Sequence, residues 1–212
     1  MKSKTALVIL LLGAVAAASG AAQKKGKGSK KVAPRDYANT LAILQTDLGD
    51  ITLKFHYDVA PHHVENFVNL AAKGFYDGTL FHRVIPSFMI QGGDPLTKKP
   101  EDPRHPYGTG GNVVDDQEVR VKAEFNETPH KRGVVSMARA GDPNSASSQF
   151  FIVVKDSPFL DRQYSAFGEV VSGMEVADKI AAVPRSEPGK LDRPIQPVHI
   201  KKVVLSQAKS MS

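Results

Sequence analysis

From residue 41 onward the chain is a succession of short apolar runs, each cut off by Gly, Pro, Asn or Asp, and this punctuation constrains the fold most. Leu41 to Gln45, then Ile51, Leu53 and Phe55 at period two, flank an acidic turn containing Gly49, which reads as strand, turn, strand. The runs 79–85, 88–91, 133–138, 149–154 and 198–205 are β-branched or aromatic and bounded in the same way. Only two segments carry helical periodicity. Pro61 opens the first, with Val64, Phe67, Val68 and Ala71 on one face and Gly74 past its end. The second runs from Gly173 to Val183, with Val176, Ala177, Ile180 and Ala181 aligned and Pro184 as its stop. Strands without an alternating strand–helix rhythm argue against a parallel α/β fold and for a mainly β, antiparallel barrel or sandwich carrying two α-helices.

The 212 residues fit one domain with appendages, and the appendages hold the charge. Eight of the 28 Lys and Arg lie in residues 1–35, where no acid stands; the other 20 face 22 Asp and Glu. The basic excess therefore belongs to the tail, and a nucleic-acid partner, which would need a basic face on the body, is not expected. Lys2 and Lys4 precede an apolar run from Ala6 to Ala18 and a small-residue stretch, so residues 1–22 read as a signal peptide. Residues 23–38 read as a basic disordered linker, a solvated spacer first and, alternatively, a weak electrostatic hold on the cell envelope through residues 24–35. The domain is expected over 39–207 and a C-terminal tail over 208–212. Export is the implied route, to the periplasm or, alternatively, to full secretion. There is no cysteine, which excludes a disulfide framework, a thiol nucleophile and a Cys-ligated zinc site.

Polar residues on apolar strand faces point to a site. On a strand over 79–85, Arg83 shares a face with Phe81 and Ile85; over 149–154, Gln149 shares one with Phe151 and Val153. A guanidinium there is costly unless paired or set in a groove. The segment 95–118, with four Pro and then Gly108-Thr109-Gly110-Gly111, reads as a long loop of the kind that is functional or mobile. It lacks a following Lys-Ser/Thr, so it is not a phosphate loop. The adjacent pair His62 and His63 diverges by about 100° on a helix and cannot easily chelate one ion, so neither a metal nor a cofactor is expected. Ser136, Ser147 and Ser148 lack the G-x-S-x-G elbow of a serine hydrolase.

The stretches FHRVIPSFMIQGGD at 81–94, SMARAG at 136–141, SSQFFI at 147–152 and FLDRQYSAFGEVVSGMEVADKI at 159–180 resemble the cyclophilins, the peptidyl-prolyl cis–trans isomerases inhibited by cyclosporin. The resemblance spans residues 40–206. It implies a closed eight-stranded antiparallel β-barrel capped by two α-helices, acting as a monomer on proline-containing unfolded or partly folded polypeptides. It implies Arg83 as the catalytic arginine and Gln91 beside it. Phe88, Met89, Phe151 and Leu160 would form the proline pocket, with Gln91 and the backbone at Arg139 holding the substrate chain and Gly108, Ala138 and Gln149 lining the adjoining groove. Three features depart from the family: Arg139 stands where Asn is common, Phe159 where an indole is typical, and Tyr164 where a pocket-edge His is found. Poor cyclosporin binding is implied by Phe159. A non-catalytic module that merely holds proline-containing chains remains the alternative; it would need the pocket without the cation.

Overall fold

The computed structural model describes residues 36–186 and 191–208. The expected signal peptide, the linker up to residue 35 and tail residues 209–212 lie outside the described residues. Asp36 to Ala38, expected in the linker, are instead held on the domain. Tyr37 stacks on Tyr57 with ring centroids 5.5 Å apart, and its hydroxyl donates to Asn69 at 3.3 Å.

The chain begins with a hairpin, β1 (Thr40–Thr46) and β2 (Gly49–Phe55), followed by helix α1 (Pro61–Ala72). Short strands β3 (Thr79–Leu80), β4 (Arg83–Ile85) and β5 (Met89–Gly92) come next. The long loop contains a 3₁₀ turn, Pro95–Lys98, and a small hairpin of β6 (Val113–Val114) and β7 (Gln117–Glu118). Strands β8 (Val134–Met137), β9 (Phe150–Val153) and β10 (Ala166–Ser172) lead to helix α2 (Met174–Ala181). The pair β11 (Arg185–Ser186) and β12 (Arg193–Pro194) precedes the long strand β13 (His199–Gln207).

Nine strands form one antiparallel sheet in the order β3-β13-β1-β2-β10-β8-β9-β5-β4. Its two end strands, β3 and β4, are separated only by Phe81 and His82, so the sheet curls strongly back toward its own start. The closed eight-stranded ring expected from the sequence is not made as one continuous ladder. The run 79–85 changes partners midway: Leu80 pairs with His199 of β13, whereas Arg83 pairs with Gln91 of β5. Between them the Phe81 N–H donates to the Val198 carbonyl at 3.0 Å, and the Val84 N–H to that of Asp192 at 2.8 Å.

Alternation along the strands sends one set of side chains inward, including Leu44, Ile51, Leu53, Ile90, Phe150, Ile152 and Ile200, each 0% exposed. The helices close over them. α1 contributes Val64, Phe67, Val68 and Ala71, and α2 contributes Val176, Ala177, Ile180 and Ala181, the faces read from periodicity. Ala60 cannot cap α1, and the task falls to Glu124, far along the chain. Its carboxylate accepts the N–H groups of His62 at 3.1 Å and His63 at 3.0 Å, and the His63 ring at 2.6 Å. Burial raises the Glu124 carboxyl, but these His63 and His62 donors outweigh it and hold it low. At the start of α2, Gly173 has φ +88, and a Cβ there would run into the Asp50 carbonyl, so only glycine fits.

Candidate functional site

The register of four neighbouring strands assembles the site. Arg83 of β4 lies opposite Gln91 of β5, Gln91 opposite Phe151 of β9, and Phe151 opposite Ser136 of β8. Residues opposite one another in antiparallel pairs project to the same side, so this row shares a face. The row beside it, Val84, Ile90, Ile152 and Val135, fills the core. Arg83 therefore stands on the outer surface of the curled sheet. This corrects the expectation that it shares a face with Phe81. Phe81 belongs to the core with Val84, because the backbone break at Phe81 and His82 interrupts the alternation. Arg83 does share its face with Ile85, and Gln149 lies on the Phe151 side as expected.

A second apolar cluster grows on this outer face. Met89, Phe151, Val153 and Leu160 are buried, with Ile85, Phe88, Ala138 and Tyr164 packed against them. They surround a pocket of about 110 Å³ walled by Phe88, Met89, Phe151, Leu160 and Tyr164, with Arg83, Gln91, Ala138 and Arg139 at its rim. Gln91, Ala138 and Arg139 also border a neighbouring pocket of about 360 Å³, which adds Gly108 and Gln149. Eleven of the twelve residues expected from the sequence thus line two adjoining hollows. Phe159 lines neither: it is 62% exposed, and its ring leans on Phe88 at 5.4 Å.

The loop bordering the larger hollow is clamped from two sides. Gln149 Nε2 donates to the carbonyls of Gly108 at 3.0 Å and Gly110 at 2.8 Å, while its Oε1 accepts from Gln91 Nε2 at 2.9 Å. Both ends of the Gln149 amide are thereby occupied, so it shapes the groove. From beneath, the fully buried Asp94 accepts the N–H groups of Gly108 at 2.5 Å and Leu96 at 2.8 Å. Gly93 permits this turn: its φ is +87, and a Cβ would lie 2.6 Å from the Ser148 carbonyl.

Behind the pocket, His130 and Asp161 escaped the sequence reading, and Ser136 was weighed there only as a nucleophile. The His130 ring stacks on Phe151, 6.3 Å between centroids and 18° between planes, while Tyr164 meets Phe151 edge-on at 5.5 Å. His130 Nε2 lies 2.8 Å from Ser136 Oγ and Nδ1 lies 3.0 Å from Asp161 Oδ1. Burial holds the His130 ring below its ordinary pKa against the opposing pull of Asp161. Neutral His130 therefore donates from Nδ1 to Asp161 and accepts the Ser136 hydroxyl at Nε2. The polar order is that of an acyl-transfer triad, but Ser136 is 0% exposed and unreachable by any substrate. The chain instead fixes the wall of the pocket. No sequence signal joins residues 130, 136 and 161; only the fold does. Among the described residues, no three His, Asp or Glu side chains converge to hold a metal ion.

Buried imidazoles also set an acid limit on this region. His63, His82 and His130 are each held low, with burial the largest cause and Glu124, Asp94 and Asp161 respectively opposing it; His82 is pushed down to about 4. Neither ring nitrogen of His82 has a hydrogen-bond partner among the described residues. The unfolded chain takes up these protons near pH 6.5, while the folded chain resists them. Stability is therefore full above that pH and falls as the pH drops toward 4. Urea midpoints at pH 8, 6 and 4.5 are expected to decrease in that order. A midpoint that holds steady or rises on acidification contradicts this.

Chemically, the site offers a small hollow walled by Phe88, Met89, Phe151 and Leu160 for a compact apolar ring, with a permanent cation at its edge and the Gln91 amide beside that cation. No carboxylate among the described residues pairs with Arg83. Comparison with known proteins agrees with this chemistry. A family model described as cyclophilin type peptidyl-prolyl cis-trans isomerase/CLD matches residues 41–205. The chain is 42% identical over 193 residues to a probable peptidyl-prolyl cis-trans isomerase of Brucella abortus, covering 89% of this chain and 88% of that protein. It is 38% identical over 191 residues to a peptidyl-prolyl cis-trans isomerase of Acinetobacter baylyi, covering 87% and 94%. Among solved structures, a cyclophilin type peptidyl-prolyl cis-trans isomerase of Cryptosporidium parvum superposes with a TM-score of 0.69 at 31% identity, covering 79% of this chain and 98% of that one. That protein has also been solved in the presence of the dipeptide Ala-Pro, with a TM-score of 0.68 to this chain at 31% identity, covering 79% and 99%.

Proposed function

Because this chain belongs to the cyclophilin-type peptidyl-prolyl cis–trans isomerases, we propose that its outer-face groove isomerises X–Pro bonds with Arg83 as the catalytic donor. Rotation about a peptide bond must break amide resonance, a barrier of ~18–20 kcal/mol. X–Pro exchange therefore takes tens to hundreds of seconds unaided, although cis and trans differ by only about 0.5–1 kcal/mol. No covalent bond is made or broken, so the catalyst has only to bind the twisted amide better than the planar one.

As resonance is lost, the prolyl nitrogen becomes pyramidal and regains its lone pair. The Arg83 guanidinium, always charged and rich in donors, hydrogen-bonds that lone pair, which the planar ground state does not offer. Phe88, Met89, Phe151 and Leu160 grip the pyrrolidine and exclude water, which strengthens the charge-assisted bond. Gln91 and the main chain at Arg139 hold one end of the peptide while the other turns. The observation that carries this reading is an arginine without a carboxylate partner among the described residues, on the rim of a small apolar-walled hollow. A passive proline holder needs only the hollow.

Titrating an Ala-Pro peptide into the protein is expected to shift the NMR resonances of Phe88, Met89, Phe151 and Leu160 first and to broaden the peptide's cis and trans signals by exchange. Shifts confined to another face contradict the assignment. Cyclosporin is expected to bind weakly, since Phe159 presents an exposed ring without an indole N–H; nanomolar affinity in a calorimetric titration contradicts that. The substrates we propose are exported polypeptides whose folding waits on proline, a reading supported by the basic head and the apolar run at residues 6–18. A periplasmic location, a weak envelope contact through residues 24–35 and a monomeric state complete the proposal. Cell fractionation with N-terminal sequencing of the mature chain tests the export.

A further inference from the structure

Eight arginines stand among the described residues, and six of them are paired with a carboxylate. Arg104, Arg120, Arg132, Arg162, Arg185 and Arg193 face Asp102, Glu118, Asp178, Glu127, Asp192 and Glu101 respectively. The two without an acidic partner, Arg83 and Arg139, both line the small pocket. Among the arginines of the described residues, the two that lack a carboxylate partner therefore stand at one groove.

Arg83 is engaged with the reacting amide in the reading above, and Arg139 is not. The Arg139 guanidinium lies over the Tyr164 ring, 4.7 Å from its centroid. Its Nε donates to the Gln163 carbonyl at 3.1 Å, and Nη1 to the carbonyls of Ala140 at 2.9 Å and Gly141 at 3.3 Å. These bonds fix the plane of the group and leave Nη2 without a partner among the described residues. Held over an aromatic ring by three hydrogen bonds, with a donor to spare, an arginine is prepared for a carboxylate at little further cost in side-chain entropy. It also stands between the two hollows, bordering both. The larger one has room for a carboxylate side chain of a peptide whose proline occupies the smaller. Arg120 in the same hollow is already neutralised by Glu118 at 3.0 Å.

We infer that Arg139 is a specificity-determining residue that selects X–Pro bonds with an acidic side chain a few residues away. The inference rests on the proposed groove and adds to it the class of substrate. It is tested with alanine-based peptides carrying one Ala-Pro bond, with Glu, Gln or Lys placed in turn at each of the two positions on either side. Their exchange rates and affinities are measured by NMR at low salt and at 0.5 M salt.

At one of these positions Glu is expected to lower KM roughly three- to five-fold relative to Gln, with Lys poorer still, the gain of a partly exposed charge-assisted pair. The preference shrinks at 0.5 M salt, where charges are screened within a few ångströms. Arg139→Gln abolishes it and Arg139→Lys keeps most of it. Equal KM for all three side chains at every position, with exchange still accelerated, overturns the inference and leaves the isomerase groove standing. A uniform slowing of all peptides by Arg139→Gln with the Glu preference intact also overturns it, since Arg139 would then only support the loop. No acceleration of any peptide by the unmodified protein overturns the groove itself.

Discussion

Replacing Arg83 by alanine is expected to lower kcat/KM for X–Pro isomerisation by roughly 10²–10³-fold, the cost of removing one charged donor to the twisted amide. The same protein should fold as before. Arg83 is partly exposed on the outer face, no carboxylate among the described residues pairs with it, and no core side chain leans on its charge. A surface-facing substitution of this kind shifts stability by about 0.5 kcal/mol or less. Arg83→Lys keeps the charge but not the planar fork, and is expected to recover only part of the rate. Exchange spectroscopy on an Ala-Pro peptide, run beside thermal unfolding, separates the two effects. A variant within a factor of three of the unmodified rate contradicts the role given to Arg83.

The largest loss of stability is expected from Phe67→Ala. Phe67 lies on the buried face of α1 at 0% exposure, and four rings meet it. Tyr76 is 4.8 Å away between centroids, Phe150 5.3 Å, Phe55 5.5 Å and Phe167 5.6 Å. Removing a phenyl group from such a cluster costs about 3–5 kcal/mol, transfer and cavity together. A domain of this size is stable by only about 5–15 kcal/mol, so Tm is expected to fall by roughly 10 °C. The groove shares in the loss. Phe150 packs against Phe67 from inside the sheet, and the next residue along β9, Phe151, forms the outer pocket wall. A Tm within 2 °C of the unmodified protein would show that the cluster is not what joins α1 to the sheet.

The elements with strong local signals were legible before the structure. Pro61, the apolar stripe through Val64, Phe67, Val68 and Ala71, and Gly74 with φ +69 marked α1. Val176, Ala177, Ile180 and Ala181 marked α2. The small elements within the long loop, β6 and β7, and the pair β11 and β12 were not legible, because two-residue strands carry no periodicity. The face assigned to Arg83 illustrates a different limit. Period-two counting placed it with Phe81 because the segment reads as one strand, yet the backbone breaks at His82 to change pairing partners. Its conclusion, an arginine beside an apolar groove, survives because Ile85, Met89 and Phe151 share the outer face.

Interactions between distant parts of the chain left no trace in the sequence. Glu124 caps α1 from 61 residues away, Asp161 anchors His130 from 31, and Asp94 holds Gly108 from 14. Each satisfies backbone donors that would otherwise be stranded, and each donor or acceptor has many equivalents in the sequence. Fixing the partner requires the fold. The rim of the groove is where this matters most, since the Gln149 amide and the Asp94 carboxylate together set the position of the 108–110 loop.

The central claim is that Arg83 binds the twisted amide and not the planar one, and saturation experiments separate these states. An Ala-Pro peptide is titrated to saturation with the unmodified protein and with Arg83→Ala, and the affinity and the cis–trans exchange rate of the bound peptide are read by NMR from the same samples. The account predicts an affinity changed by no more than about threefold and a bound-state exchange slowed roughly 10²-fold or more. Unchanged exchange in the bound state, or a lost affinity that accounts for the whole defect, contradicts it.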